Sequence, residues 1–133
     1  MPLANPYRQY QNTSVQTADK AQLLLLTYEA IVRWLNRADA AITESRVMDA
    51  HDALIAAQTL VGDLANSLDF RRGGDVAINL ARLYDYMVER LVSANVSKDN
   101  AIVEEVHGLV SSLLDAWRIA VVHARRDGLV AAH

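Results

Sequence analysis

Apolar residues recur along this chain at the spacing of an α-helix. Between Leu80 and Asn95, a step of about 100° per residue places one apolar stripe along the helix: Leu80, Leu83, Tyr84, Met87, Leu91 and Ala94. Alanine and leucine are abundant and alternating runs are scarce, while both prolines, Pro2 and Pro6, stand near the start of the sequence. The pattern therefore predicts an all-α protein without strands.

Start and stop signals divide the sequence into four predicted helices. The first begins after Thr17, a residue type that caps helix N-termini. The second covers about Val47 to Asp69, and Gly73-Gly74 then breaks the helical course. The third is the stretch described above. The fourth begins after Ser97 as N-cap and stops at Asp127-Gly128.

Short connections between these helices make successive ones antiparallel, which predicts an up-down four-helix bundle. We expect an N-terminal extension at residues 1–16, the bundle at residues 17–127 and a C-terminal tail at residues 128–133. In the fourth helix the expected core stripe is Val103, Val106, Val110, Leu113, Trp117 and Val121.

Composition narrows the classes of protein that the chain can represent. It has 133 residues, no cysteine and a net charge of −3, so disulfides and thiolate metal sites are excluded and a reducing cytoplasm fits. No basic surface is expected, which argues against nucleic-acid binding. No apolar run approaches the roughly 20 residues of a membrane span, and the N-terminus lacks a signal-peptide pattern. We expect a cytoplasmic protein without membrane insertion.

Catalytic and metal-binding patterns are sparse. Glu104 and His107 form a Glu-x-x-His pair on the fourth helix, but a di-iron site needs a second such pair and two further carboxylates. The triplet Tyr84-Asp85-Tyr86 diverges on a helix, because neighbouring side chains lie about 100° apart. We therefore expect no enzyme activity and no cofactor.

The helices carry more apolar residues than one core-facing stripe requires. This surplus is compatible with burial between neighbouring helices, and it also fits a groove that accepts a partner's amphipathic segment. The groove hypothesis selects the following partner-binding residues: Tyr7, Tyr10, Leu23, Leu26, Ile55, Ile78, Tyr86, Ile102, Leu109 and Ile119.

The N-terminal extension has two possible roles in this scheme. Tethered to the bundle, Tyr7 and Tyr10 would meet the groove at an effective concentration of order millimolar and could shield it. Alternatively, the two tyrosines are a permanent part of the core.

Several motifs resemble those of the flagellin-specific export chaperones, the FliS family, in order and spacing. They are Asn5-Pro-Tyr-x-x-Tyr-Gln, Ser14-Val-x-Thr-Ala, Leu23 to Tyr28, Asn79-Leu-x-x-Leu-Tyr-Asp-Tyr-Met-x-x-Arg-Leu-x-x-Ala-Asn95, and Glu105 to Trp117. The resemblance implies a cytosolic bacterial chaperone that binds the disordered C-terminal segment of flagellin and prevents premature polymerisation. It also implies delivery to the flagellar export apparatus, and an N-terminal extension that competes with the client.

Two other functions are compatible with a bundle of this kind. A metal-dependent or haem-binding helical enzyme would hold its cofactor between the helices. A self-associating structural bundle without a flagellin client would bury the surplus apolar surface against a second copy.

Overall fold

Four α-helices form the described part of the chain. The computed structural model describes residues 6–123, with side chains from residue 19 onward, and residues 132–133. The helices are α1 (Pro6–Thr43), α2 (Val47–Asn66), α3 (Phe70–Ser97) and α4 (Asn100–Val122), and no strand occurs in these residues. None of these helices has the length and apolar character that crossing a bilayer demands.

Each helix packs against the next in sequence, and α4 closes the arrangement by packing against α1. This places α1 diagonally opposite α3. The predicted all-α, up-down four-helix bundle is confirmed. We call the end where α2 leads into α3 the proximal end and the end where α1 leads into α2 the distal end.

The core follows the apolar stripes. In α3 the predicted stripe is buried except Leu83, which is half-buried. In α4, Leu114 and Ala120 are fully buried in place of the predicted Leu113 and Val121, which pack only against the margin of the core. Trp117, Tyr28 and Tyr84 are the largest fully buried side chains in the described residues.

Helix α1 begins at Pro6, so the predicted start after Thr17 is wrong. Proline suits the first turn of a helix because its fixed φ matches helical geometry and its missing N–H leaves no bond unmade. No proline or glycine follows until the end of α1, so nothing local stops the helix at Thr17. The side chains of Tyr7 and Tyr10 lie outside the described residues.

The predicted helix break at Gly73-Gly74 lies within the first turns of α3 and not between two helices. Gly74 adopts φ 51° and ψ −127°, a non-helical conformation that glycine tolerates and most residues avoid, and it kinks α3 there. Helix α2 ends at Asn66, earlier than the predicted Asp69. Asp69 is instead the N-cap of α3, and its carboxylate accepts a bond from the Arg72 N–H at 3.0 Å. A short carboxylate side chain favours this capping position over a helix interior.

The N-cap of α4 is Asp99 and not the predicted Ser97. The Asp99 carboxylate accepts a hydrogen bond from the Ala101 N–H at 2.9 Å. Ser97 is the last residue of α3, and its hydroxyl donates to the Ser93 carbonyl. Lys98 between them is left-handed at φ 51°. Both residue types cap helices, but the carboxylate also favours the positive end of the helix dipole.

Replacing Asp99 by alanine should lower the free energy of unfolding by about 1 kcal/mol, because an α4 N–H loses its capping partner. Ser97→Ala is the matched control and should change it by less than about 0.5 kcal/mol. Urea unfolding followed by circular dichroism measures both. A larger loss for Ser97→Ala than for Asp99→Ala would contradict the assigned cap.

Candidate functional site

Large apolar side chains are exposed at both ends of the bundle. Those at the proximal end lie on α1, α3 and α4: Leu23, Leu26, Phe70, Ile78, Ile119 and Val122. Those at the distal end lie on α2 and α3: Val47, Met48, Val92 and Val96. Exposed apolar area of this kind indicates contact with a partner or with a further part of the chain.

The predicted partner-binding residues occupy all four helices. Among those with described side chains, the exposed ones are Leu23, Leu26, Ile55, Ile78, Tyr86 and Ile119. Ile102 and Leu109 are half-buried and pack against the core. Leu23, Leu26, Ile78 and Ile119 share the proximal end, whereas Ile55 lies in the distal half of α2. The residues are therefore distributed over both halves of the bundle, and their role in binding stays a prediction.

Tyr86, Ile102 and Leu109 belong to the seam between α3 and α4, the least closely packed neighbouring pair. The Tyr86 hydroxyl donates to the Glu105 carboxylate, and Arg90 Nε donates to the same carboxylate at 2.7 Å. These bonds hold the pKa of Glu105 below its ordinary value. Ile102 and Leu109 lie one helical turn on either side of Glu105, so they share its face toward α3. Tyr86 is thus a link across the seam as well as an exposed ring.

A notch at the proximal end holds the Ala132–His133 pair. The Ala132 carbonyl accepts a hydrogen bond from the Asp69 N–H at 2.7 Å. Both residues are buried, and the His133 ring lies 5.5 Å from the Trp117 ring, centroid to centroid. Gly73 forms part of the wall, and a Cβ on it would lie 2.6 Å from the Ala132 Cα. The notch therefore accepts backbone at a distance that only glycine permits.

A chain of hydrogen bonds fixes the protonation of His133. The Ser67 hydroxyl donates its only proton to the Leu64 carbonyl, at 2.9 Å. At its 2.7 Å contact with His133 Nδ1 the Ser67 oxygen must therefore accept, so Nδ1 carries the proton. His133 Nε2 is then the acceptor at 3.0 Å from the Tyr84 hydroxyl.

The series of hydrogen bonds continues from His133 through Tyr84 to Tyr28 at the centre of the bundle. Because the Tyr84 hydroxyl donates to His133, its oxygen accepts from the hydroxyl of Tyr28 on α1. Burial raises the pKa of both tyrosines. It also lowers the pKa of His133 to about 4, with a smaller contribution from the positive charge of Lys20. The site thus favours a neutral imidazole in a single tautomer.

One buried donor at the notch lacks a partner. The Trp117 indole Nε1–H makes no hydrogen bond within the described residues, although the ring lies 6.2 Å from the Tyr28 ring and is fully buried. An unpaired buried N–H typically costs about 1–3 kcal/mol. The Trp117 N–H has no hydrogen bond of full geometry, although the Tyr28 hydroxyl lies near it.

Glu104 and His107, the pair considered for a metal site, line a shallow depression between α1 and α4. Leu35, Asn36, Asp39 and Val103 complete its lining. Across the described ranges, no cluster of three or more histidine, aspartate and glutamate side chains is arranged to hold a metal ion.

A comparison with protein families gives one match that covers most of the chain. The family model described as Flagellar protein FliS matches residues 3–124. The chain belongs to the FliS family. The match spans all of α1 to α4 and ends before the Ala132–His133 pair, so the occupant of the notch lies beyond the matched region.

Individual relatives agree with this membership. The flagellar secretion chaperone FliS of Bacillus subtilis (strain 168) is 34% identical, over 96% of this chain and 94% of its own length. The protein of the same name from Salmonella typhimurium is 35% identical over 80% of this chain and 79% of its own. Flagellar secretion chaperone FliSB of Pseudomonas aeruginosa is 32% identical over 83% of this chain and 90% of its own length. These names describe chaperones and not enzymes.

The notch was not predicted from sequence. From sequence, Ser67 is expected near the end of the second helix, Gly73 at a helix break, Trp117 in the core and His133 in the C-terminal tail. The contacts join α2, α3, α4 and residues 132–133, which are distant in sequence. Helical periodicity reports which face of one helix is buried and contains no information about such contacts.

The free energy of unfolding should fall as the pH is lowered, because the buried His133 ring must be neutral in the folded protein. Its pKa is lowered from the ordinary 6.5 to about 4 in the folded protein, so the folded state binds fewer protons between these values. Stability from the buried neutral ring is present above about pH 6.5 and is lost as pH falls toward 4. The advantage of wild type over His133→Gln should shrink by about 1–2 kcal/mol from pH 7 to pH 5.

Urea unfolding across this pH range measures that advantage. His123→Gln, at an exposed histidine, is the matched control and should parallel wild type. Parallel curves for wild type and His133→Gln would show that the His133 ring is not held neutral in the notch.

Proposed function

We propose that the protein is a cytosolic holding chaperone that binds the disordered C-terminal segment of flagellin. By covering that segment it prevents premature polymerisation, and it presents the subunit to the flagellar export apparatus. Family membership and the names of the relatives support a role in flagellar secretion. The observation that supports a peptide client is the exposed apolar surface of the proximal end, at the same end of the bundle as a notch that already holds two residues of the chain, Ala132 and His133.

The exposed area is sufficient for such a client. Leu23, Leu26, Ile78 and Ile119 leave 63%, 49%, 41% and 63% of their surfaces exposed. This is roughly two whole side chains, and burying each contributes about 1.5–3 kcal/mol. The sum of about 3–6 kcal/mol is comparable with the roughly 2–5 kcal/mol needed to order a disordered segment on binding. Holding by this surface requires no nucleotide and no covalent step.

Ile119→Asp should weaken binding of the C-terminal peptide of the cognate flagellin at least tenfold in calorimetry. Losing the burial of an exposed isoleucine removes about 1.4 kcal/mol or more. The free energy of unfolding should change by less than about 0.5 kcal/mol, because the side chain makes few contacts in the free protein. Val96→Asp, at an exposed distal residue, is the matched control. Equal affinity for both variants and wild type would exclude Ile119 from the binding surface.

The N-terminal segment is proposed to shield the apolar surface when no client is bound. Deleting Met1 to Thr13 should raise the affinity for the flagellin peptide by up to about tenfold, since a shield docked with about 1.4 kcal/mol leaves only a tenth of the surface open. Helix α1 retains residues 14–43, which include its described buried residues from Leu24 to Ala41. Unchanged calorimetric affinity would rule out both shielding and direct contact.

Self-association is the alternative that the exposed distal residues favour. Burial of Val47, Met48, Val92 and Val96 against a second copy would remove them from water. Light scattering with and without flagellin peptide separates the two functions. A monomer that binds one peptide supports the chaperone, whereas a stable dimer that binds none supports the structural bundle.

A further inference from the structure

The notch is a built site for a short peptide segment. The Asp69 N–H, the Ser67 hydroxyl oxygen and the Tyr84 hydroxyl all bond its occupant. The absence of a Cβ at Gly73 allows the occupant's backbone to lie against α3. The left-handed Gly74 bends the chain immediately after this wall. These features come from the helical bundle, and the residues that fill the notch, Ala132 and His133, lie outside the family match.

The Ala132–His133 pair does not supply a hydrogen-bond partner to every buried polar group beside the notch. The Trp117 indole N–H, fully buried beside the His133 ring, receives no acceptor among the described residues. Release to water also allows His133 to take up a proton below about pH 6.5, because its pKa is about 4 only while the ring is buried in the notch. The pair is held by three hydrogen bonds, to Asp69, Ser67 and Tyr84, which a client segment of the same chemistry can replace.

Removing Ala132 and His133 would expose an aromatic floor. Trp117, Tyr84 and Tyr28 lie beneath the pair. The exposed Leu23, Leu26 and Ile119 belong to the same end of the bundle, so an open notch would add its floor to the apolar surface of the proximal end. It would also leave the Asp69 N–H and the Tyr84 hydroxyl available to a new occupant.

We propose that the Ala132–His133 pair is an intramolecular competitor of the client, and that client binding requires its release from the notch. This inference rests on the proposed function and adds a second regulatory contact, distinct from the N-terminal shield. The site selects a segment with a small residue beside Gly73 whose carbonyl accepts from the Asp69 N–H. The next side chain must be neutral, accept from Tyr84 and donate to Ser67, as an amide or a neutral imidazole does.

Release of a competitor raises apparent affinity by the reciprocal of the open fraction. Ala132→Glu should empty the notch, because no space exists beside Gly73 for a longer and charged side chain. His133→Ala should act in the same direction through the loss of two hydrogen bonds, and it preserves the charge. Ser97→Glu, at an exposed residue of the distal end, is the matched control for added charge.

Calorimetry with the C-terminal peptide of the cognate flagellin is the binding measurement. Ala132→Glu should raise affinity about threefold to tenfold, His133→Ala by a smaller factor, and Ser97→Glu should equal wild type. In amide spectra of the free proteins, the Trp117 indole N–H signal should move in the two notch variants. The Trp34 signal should stay in place, because Trp34 lies on α1 away from the notch.

Each other outcome is decisive. A shifted Trp117 signal with unchanged or weakened peptide affinity would mean that the pair docks but does not compete, and would overturn the inference while the proposed function stands. An unshifted Trp117 signal in both notch variants would overturn the docking itself. Failure of wild type and all variants to bind the peptide would overturn the proposed function, and the inference with it.

Discussion

A hydrogen bond between two buried tyrosines at the centre of the bundle determines how its proximal end is built. Tyr28 on α1 and Tyr84 on α3 belong to diagonally opposite helices, and their hydroxyls meet in the core. Because each hydroxyl has one proton to donate, satisfying the pair requires a further acceptor. His133 supplies that acceptor and is in turn bonded to Ser67 at the end of α2. The polar chain thus connects the core to the surface that we propose binds a client.

These buried hydrogen bonds also fit the proposed role, which is to hold a client and requires no catalytic chemistry. Tyr28, Tyr84, His133 and Ser67 are hydrogen-bonded to one another, and burial favours the neutral forms of the tyrosines and the histidine. A holding chaperone needs apolar area and reversible contacts, which are the properties that exposed leucines, isoleucines and a partly satisfied notch supply. Specificity for one segment would then come from the hydrogen bonds of the notch.

Periodicity predicted the helices and most of their buried faces. The stripe from Leu80 to Ala94 was predicted closely, because a helix repeats regularly and its apolar face must be covered. Boundaries were less predictable: Ser97 and Asp99 are both good caps, and the sequence pattern does not distinguish them. The start at Pro6 was missed because a polar stretch with few apolar anchors resembles an extension even where it continues a helix.

The candidate site was predicted less completely than the fold. Exposure of Leu23, Leu26, Ile78 and Ile119 follows from helical phase within single helices. The notch depends on contacts between residues that are far apart in sequence, such as Gly73 with Ala132, and no local pattern reports those. Similarly, Tyr86 has the phase of an exposed anchor, yet its hydroxyl bonds to Glu105 across a seam between two helices.

We propose that the proximal end of the bundle holds the flagellin segment, and methyl NMR spectra recorded while the cognate flagellin C-terminal peptide is added test this. We expect the signals of Leu23, Leu26, Ile78 and Ile119 to move and those of Val47, Val92 and Val96 to stay in place. Movement confined to the distal valines, or no movement at saturating peptide, would contradict it.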